Sequence, residues 1–192
     1  EARILLAKIR MDGGFYPDAL SYLAMENIPE YIAPDYYAIK GLSYYKLHQF
    51  ERAIESFNEC EKYSIHFDSL YWYQSASYKL TANIPKAIKS MNLFLADKSH
   101  VSKYVYMEMG DLYFTQKLYS EAYVYYDKLV QSRDFYAQAL LKRGLCNHYL
   151  NKPEDACVDL ETAHSYEDPK AIDYLNQWCR IQPEESVETF NP

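Results

Sequence analysis

The chain repeats itself. GLSYYKLHQFERAIESF, Gly41 to Phe57, returns as SASYKLTANIPKAIKSM from Ser75 and as GDLYFTQKLYSEAYVYY from Gly110. Two further versions flank these, AKIRMDGGFYPDALSYL from Ala7 and GLCNHYLNKPEDACVDL from Gly144, so that the five starts are separated by 34, 34, 35 and 34 residues. A fixed period of this length marks a structural unit that cannot bury its apolar face alone and must stack on its neighbours.

The columns of the repeat say what each unit is. One is always alanine (Ala19, Ala53, Ala87, Ala122, Ala156) and one always small (Ala7, Gly41, Ser75, Gly110, Gly144). A third is always large and apolar (Leu23, Phe57, Met91, Tyr126, Leu160), and a fourth is tyrosine in the three central units (Tyr44, Tyr78, Tyr113). Ala53, Ile54, Phe57 and Cys60 fall on one helical face. Small residues let two antiparallel helices approach, and the large column fills space toward the next unit. Pro17, Pro85 and Pro153 stand where second helices begin, a position at which the missing N–H costs nothing. The spacing predicts helices over 1–12, 16–27, 35–47, 50–63, 68–81, 84–97, 102–116, 119–132, 135–150, 153–165 and 169–181.

This pattern resembles the tetratricopeptide repeat (TPR), a helix–turn–helix hairpin of about 34 residues. Arg10 and Asn147 depart from it in the tyrosine column, as terminal units commonly do. The resemblance implies an all-α, right-handed α-solenoid of five TPR hairpins, with units near 1–33, 34–67, 68–102, 103–136 and 137–167. A capping helix follows over 168–181, the whole forming one domain over 1–181, and a polar tail occupies 182–192. The resemblance also implies that first helices line a concave groove. By that register the groove positions are Ile4, Lys8, Asp35, Ala38, Leu42, Tyr45, Trp72, Ala76, Lys79, Tyr104, Met107, Asp111, Phe114, Leu141, Leu145 and His148. The Lys/Asn clamp that some members use on chaperone tails is absent, because its columns read Ile4, Ala38, Trp72, Met107, Leu141 and Lys8, Leu42, Ala76, Asp111, Leu145. What remains is an apolar, aromatic strip suited to a helix or an extended peptide. The plainer alternative is that these side chains pack on one another.

Composition narrows the function classes. The 192 residues carry a formal net charge of −7 with dispersed cations, against the clustered basic face that nucleic acid requires. No apolar run reaches membrane-spanning length, so direct membrane insertion is not expected. The five histidines make no i, i+3 or i, i+4 pair, and no phosphate loop or nucleophile elbow is present. Neither a catalytic site, nor a metal, nor a cofactor is expected. The reading is a protein-binding adaptor or assembly scaffold, not an enzyme. A client-holding chaperone-like or secretion-accessory module and a structural spacer or self-association module are the alternatives.

Four cysteines form no C-x-x-C motif. Cys60 and Cys146 sit in separate units and suit small core positions. Cys157 and Cys179 are nearly equidistant from the turn at Asp168, so that antiparallel helices would bring them face to face, either as two packed thiols or as a disulfide. The closing segment is also similar to that of some bacterial envelope TPR proteins. An oxidised pair would imply an oxidising compartment, which favours the bacterial periplasm or envelope over the cytoplasm.

Overall fold

The computed structural model describes residues 1–63, 70–96 and 102–179. Eleven α-helices and no strand occur among them. The chain forms two compact units, Glu1–His100 and Val101–Pro192. The architecture is an all-α solenoid of helix hairpins ending in a capping segment.

Unit 1 holds three hairpins: α1 (Ala2–Asp12) with α2 (Tyr16–Tyr22), α3 (Ala33–Lys46) with α4 (Phe50–Glu61), and α5 (Leu70–Leu80) with α6 (Ile84–Ala96). A 3₁₀ turn, Glu30–Ile32, leads into α3. α2 stops at Tyr22, short of the expected residue 27. The Arg3 guanidinium takes the carbonyls of Tyr22 and Ala24 at 3.1 and 3.0 Å, so the helix end is satisfied by a side chain rather than by a further turn. Leu23 then packs into a core with Ile4, Ala7, Tyr36 and Ile39.

Unit 2 pairs α7 (Lys103–Thr115) with α8 (Tyr119–Ser132) and α9 (Tyr136–Tyr149) with α10 (Pro153–Ser165). The expected capping helix over 169–181 is shorter and broken: α11 (Ala171–Tyr174) runs into a π-helical turn, Leu175–Cys179. Ala171 and Leu175 bury against Leu160 and Ala163 of α10, with Trp178 beside them. The expectations for the tail, 182–192, and for the last two residues of the capping helix lie outside the described residues.

One turn builds all five hairpins. Gly14, His48, Ala82, Lys117 and Asn151 occupy one column, and each has positive φ, between 57° and 81°. The next residue's N–H returns five residues to the carbonyl of Arg10, Tyr44, Tyr78, Tyr113 or Asn147, at 2.8–3.0 Å. This is the Schellman bond that closes a helix whose last residue is left-handed. Glycine meets that conformation freely. His48, Ala82 and Lys117 each hold it at about 1 kcal/mol.

The small column serves the large column of its own hairpin. A Cβ placed on Gly41 would lie 2.5 Å from the Phe57 ring, and one on Gly110 would lie 2.5 Å from the Tyr126 ring. Where the partner is not aromatic, the small residue can keep a side chain: Ala7 stands with Leu23, and Ser75 with Met91, its hydroxyl bonding Ala87 O at 2.8 Å, whereas Gly144, opposite Leu160, has none. Phe57 and Tyr126 are fully buried. Each contributes about 2–3 kcal/mol through burial. Of the tyrosine column only Tyr78 is buried, whereas Tyr44 lies half-buried under Arg52 and Tyr113 half-buried against Tyr125.

Candidate functional site

Most of the aromatic strip is engaged within its own unit. Tyr45 meets Phe50 and Tyr73 with ring centroids 5.8 and 5.0 Å away, and Trp72 meets Phe94 at 5.7 Å. In unit 2 Phe114 contacts Tyr119 and Tyr149, Met107 packs on the cluster around Tyr126, and Leu141 and Leu145 are buried. Tyr104 is the exception. It is 61% exposed, with one edge on Phe135 at 5.1 Å. His148 stacks flat on Trp178 at 3.6 Å. Ile4 lies in the first core rather than on a groove wall, while Ala76 is half-buried and Lys79 exposed.

Expected groove residues line an opening in each unit. In unit 1 Lys8, Asp35, Ala38 and Leu42 converge, joined by Met11, Ile39, Phe57 and Leu70, around a cavity of about 130 Å³. Ala38, Ile39, Phe57 and Leu70 are buried and form its floor, whereas Lys8 and Asp35 are exposed and edge its mouth. In unit 2 Leu141 and Leu145 line a cavity of about 300 Å³ with Gln138, Lys142, Tyr174 and the 168–170 turn. The floor of the first could have been found in the large apolar column at Phe57. The second depends on the cap, whose path no repeat column encodes.

Asp111 is internally partnered. It accepts the Tyr126 hydroxyl at 2.6 Å and pairs with Lys142 at 3.0 Å. Burial first, and then the Asp111 carboxylate, push the Tyr126 hydroxyl well above its ordinary pKa.

A polar clasp, not foreseen from the sequence, recurs at one register. In unit 1 Gln74 of α5 reaches Asn58 on the preceding second helix (3.0 Å) and accepts from Ser90 on its own (2.7 Å). In unit 2 Arg143 of α9 occupies the same column. It meets Asp127 on α8 at 2.5 Å and grips Asp159 on α10 at 2.6 and 3.0 Å, and Asn147 adds a bond to Asp159. Hydrogen bonding to Asp159 holds the Arg143 guanidinium protonated well above its ordinary range, against the opposing effect of burial.

Cys157 and Cys179 are joined as a disulfide with Cα atoms 5.6 Å apart, tying α10 to the end of the cap. Cys60 and Cys146 are buried free thiols. Burial pushes Cys60 up to about 11 and Cys146 up to about 12. Among the described residues no cluster of three or more potential metal ligands occurs, and no helix is long and apolar enough to cross a membrane.

Hairpins of this pattern define a class, and comparison with known proteins agrees. Residues 34–64 and 104–134 match the tetratricopeptide repeat family. The crystal structure of YrrB, a TPR protein with an unusual peptide-binding site, matches with a TM-score of 0.78 at 15% identity, covering 91% of this chain and 90% of that one. MamA matches at 0.71 and 13% identity, covering 94% and 96%. Pseudomonas aeruginosa pilF matches at 0.56 and 19%, covering 77% and 70%. No curated protein matches the sequence. Two of the chain's repeats thus match the tetratricopeptide repeat family, and its fold is that of tetratricopeptide-repeat solenoids. Its fold is that of a protein–protein interaction module, and proteins of this class are in general not catalysts.

Proposed function

We propose that this chain captures a segment of a protein partner on its first-helix face, and that in unit 1 capture centres on the cavity beside Leu42. The observation that carries this reading is the coincidence of a buried apolar floor with two exposed opposite charges, Lys8 and Asp35, at the mouth. A cavity of about 130 Å³ suits one aliphatic side chain. The Lys8 ammonium is a donor for a partner's main-chain carbonyl, and the Asp35 carboxylate is an acceptor for its amide. A neighbour of the same fold, YrrB, carries a peptide-binding site, which supports peptide as the ligand class. The cavity at Leu141 and Leu145 offers unit 2 a comparable anchor. The net charge of −7 disfavours nucleic acid as the partner. The role is that of an adaptor within a multi-protein assembly.

The test is fluorescence anisotropy against a panel of polar peptides that each carry one apolar anchor, using wild type, Leu42→Glu and Asp35→Lys of confirmed helicity. Binding that ranks by anchor size and is lost in Leu42→Glu supports the reading. Equal binding of every apolar peptide points to client holding instead. No binding, together with concentration-dependent oligomers, points to a spacer or self-association role.

A further inference from the structure

A further cavity of unit 1 opens where α4, α5 and α6 meet. It measures about 280 Å³ and has no lining residue in common with the cavity at Leu42. Its inner wall is the neutral clasp: Gln74, Tyr78 and Ser90 are 1, 7 and 4% exposed, and the half-buried Asn58 joins them. The bonds of the clasp engage both amide oxygens. Asn58 Oδ1 accepts from Gln74 Nε2 at 3.0 Å and from the Tyr78 hydroxyl at 3.1 Å, while Gln74 Oε1 accepts from the Ser90 hydroxyl at 2.7 Å. The NH2 of Asn58 has no hydrogen-bond partner among the described residues. The wall therefore presents amide N–H donors while its amide oxygens are already engaged.

The rim adds charge. Lys86 and Lys89 of α6 are exposed, and neither forms an ion pair among the described residues. The Lys86 ammonium stands 5.5 Å from the centre of the Tyr78 ring, beside the cavity wall. Against these two cations the lining sets the single carboxylate of Glu61, and Leu93, 39% exposed, adds an apolar patch. In unit 2 the same columns are charged and answer one another. Arg143 stands for Gln74, held by Asp127 and Asp159 in place of Asn58 and Ser90, and the two lysine columns read Asp155 and Val158. Unit 1 gathers cations and donors at this register with no carboxylate bound to either lysine among the described residues.

We propose that this cavity is a second recognition site, which takes the carboxylate of a glutamate side chain in a partner's polypeptide segment. An ionised carboxylate only accepts hydrogen bonds and so matches a wall of donors. Its single charge balances the excess of one cation among Lys86, Lys89 and Glu61, whereas a dianionic phosphate would leave negative charge in surplus. The Asn58 NH2 and the two lysine ammonium groups share its two oxygens. The stem of glutamate, one methylene longer than that of aspartate, carries the carboxylate past Leu93 to the buried wall and leaves the partner's backbone outside the rim. Recognition here is separate from capture at Leu42.

The test titrates the isotope-labelled full chain with the blocked peptide Ac-Ala-Leu-Glu-Ala-NH2 and follows the side-chain amide resonances of Asn58 and Gln74 by NMR. Saturable shifts of both are expected, with Ac-Ala-Leu-Gln-Ala-NH2 binding at least about fivefold more weakly. Lys86→Gln combined with Lys89→Gln, both at exposed helix positions, should weaken the glutamate peptide by about fivefold or more, and Glu61→Gln should tighten it by about twofold. Leu42→Glu should leave these shifts unchanged, which distinguishes failure of this site from failure of the site at Leu42. Equal binding of the glutamate and glutamine peptides overturns the proposal. So does binding that survives the double lysine change, or the absence of any saturable shift at the two amides. Displacement of the peptide by inorganic phosphate at lower concentration also overturns it, since the site would then be one for free phosphate.

Discussion

Gly110→Ala sets two effects of comparable size against each other. The position lies within α7, where replacing glycine by alanine gains about 1 kcal/mol in helix propensity. The new methyl would stand 2.5 Å from one edge carbon of the Tyr126 ring and 2.8 Å from its Cζ, so the ring must retreat by about 1 Å to reach ordinary contact. It has nowhere to go. Tyr126 is fully buried, and its hydroxyl is tethered to Asp111 at 2.6 Å. Overpacking costs about 1–3 kcal/mol, and weakening a hydrogen bond to a charged group adds about 1 or more. The clash wins, and the variant loses about 2 kcal/mol. The third hairpin supplies the remedy, because it pairs a residue with a side chain, Ser75, with the flexible Met91. Tyr126→Met in the Gly110→Ala background should therefore cost at least about 1 kcal/mol less than the sum of the two single changes. Urea unfolding followed by Trp178 fluorescence in a Trp72→Phe background reads unit 2. A more stable Gly110→Ala, or strict additivity of the pair, would refute the reasoning.

Four further outcomes follow from the geometry. Arg143→Leu strands the buried Asp159 carboxylate and should cost about 3 kcal/mol in chemical denaturation, whereas Gln74→Leu, which breaks only neutral bonds, should cost about 1–2. Ala82→Gly and Lys117→Gly relieve left-handed backbone and should each raise stability by about 1 kcal/mol, with no change in the helical circular dichroism. Without reductant, thiol labelling at pH 8 should modify no cysteine in the native protein and two, Cys60 and Cys146, after denaturation, with peptide mapping returning Cys157 linked to Cys179. The same two thiols make stability fall at alkaline pH. The unfolded thiol releases its proton near 9.0, while the folded ones hold theirs to about 11 and about 12. Their contribution is thus complete below pH 9 and is lost as pH rises through the folded values. Cys60→Ala with Cys146→Ala should flatten that decline.

The hairpins were legible in the sequence because close helix packing restricts side-chain size at fixed spacing, and the columns at Gly41, Ala53 and Phe57 record that restriction directly. Other features were not, each for a physical reason. The early end of α2 depends on Arg3, 19 residues before Tyr22, so no local signal marks it. The left-handed turn column escaped notice because His48, Ala82 and Lys117 are not turn residues by preference; the surrounding helices impose the conformation. Arg143 and Gln74 look like ordinary surface residues until three helices meet around them. The aromatic strip was placed on first helices from the family register, but the register does not say whether a ring faces a partner or another ring. Tyr45 against Tyr73 and Phe114 against Tyr149 are such ring pairs. The cavity at Leu42 stayed open where the neighbouring side chains, Lys8 and Asp35, are charged.

The clasp has a consequence for assembly of the chain itself. Five look-alike hairpins offer many wrong neighbours, and a repeat protein that joins the wrong pair is trapped or swaps segments with another copy. Seating α9 on α4 would set Arg143 against Asn58 and leave its charge half-answered, and seating α5 on α8 would set Gln74 against a bare carboxylate. The amide–hydroxyl set in unit 1 and the ionic set in unit 2 act as different keys cut on the same blank. They let a self-similar chain tell its hairpins apart while it folds.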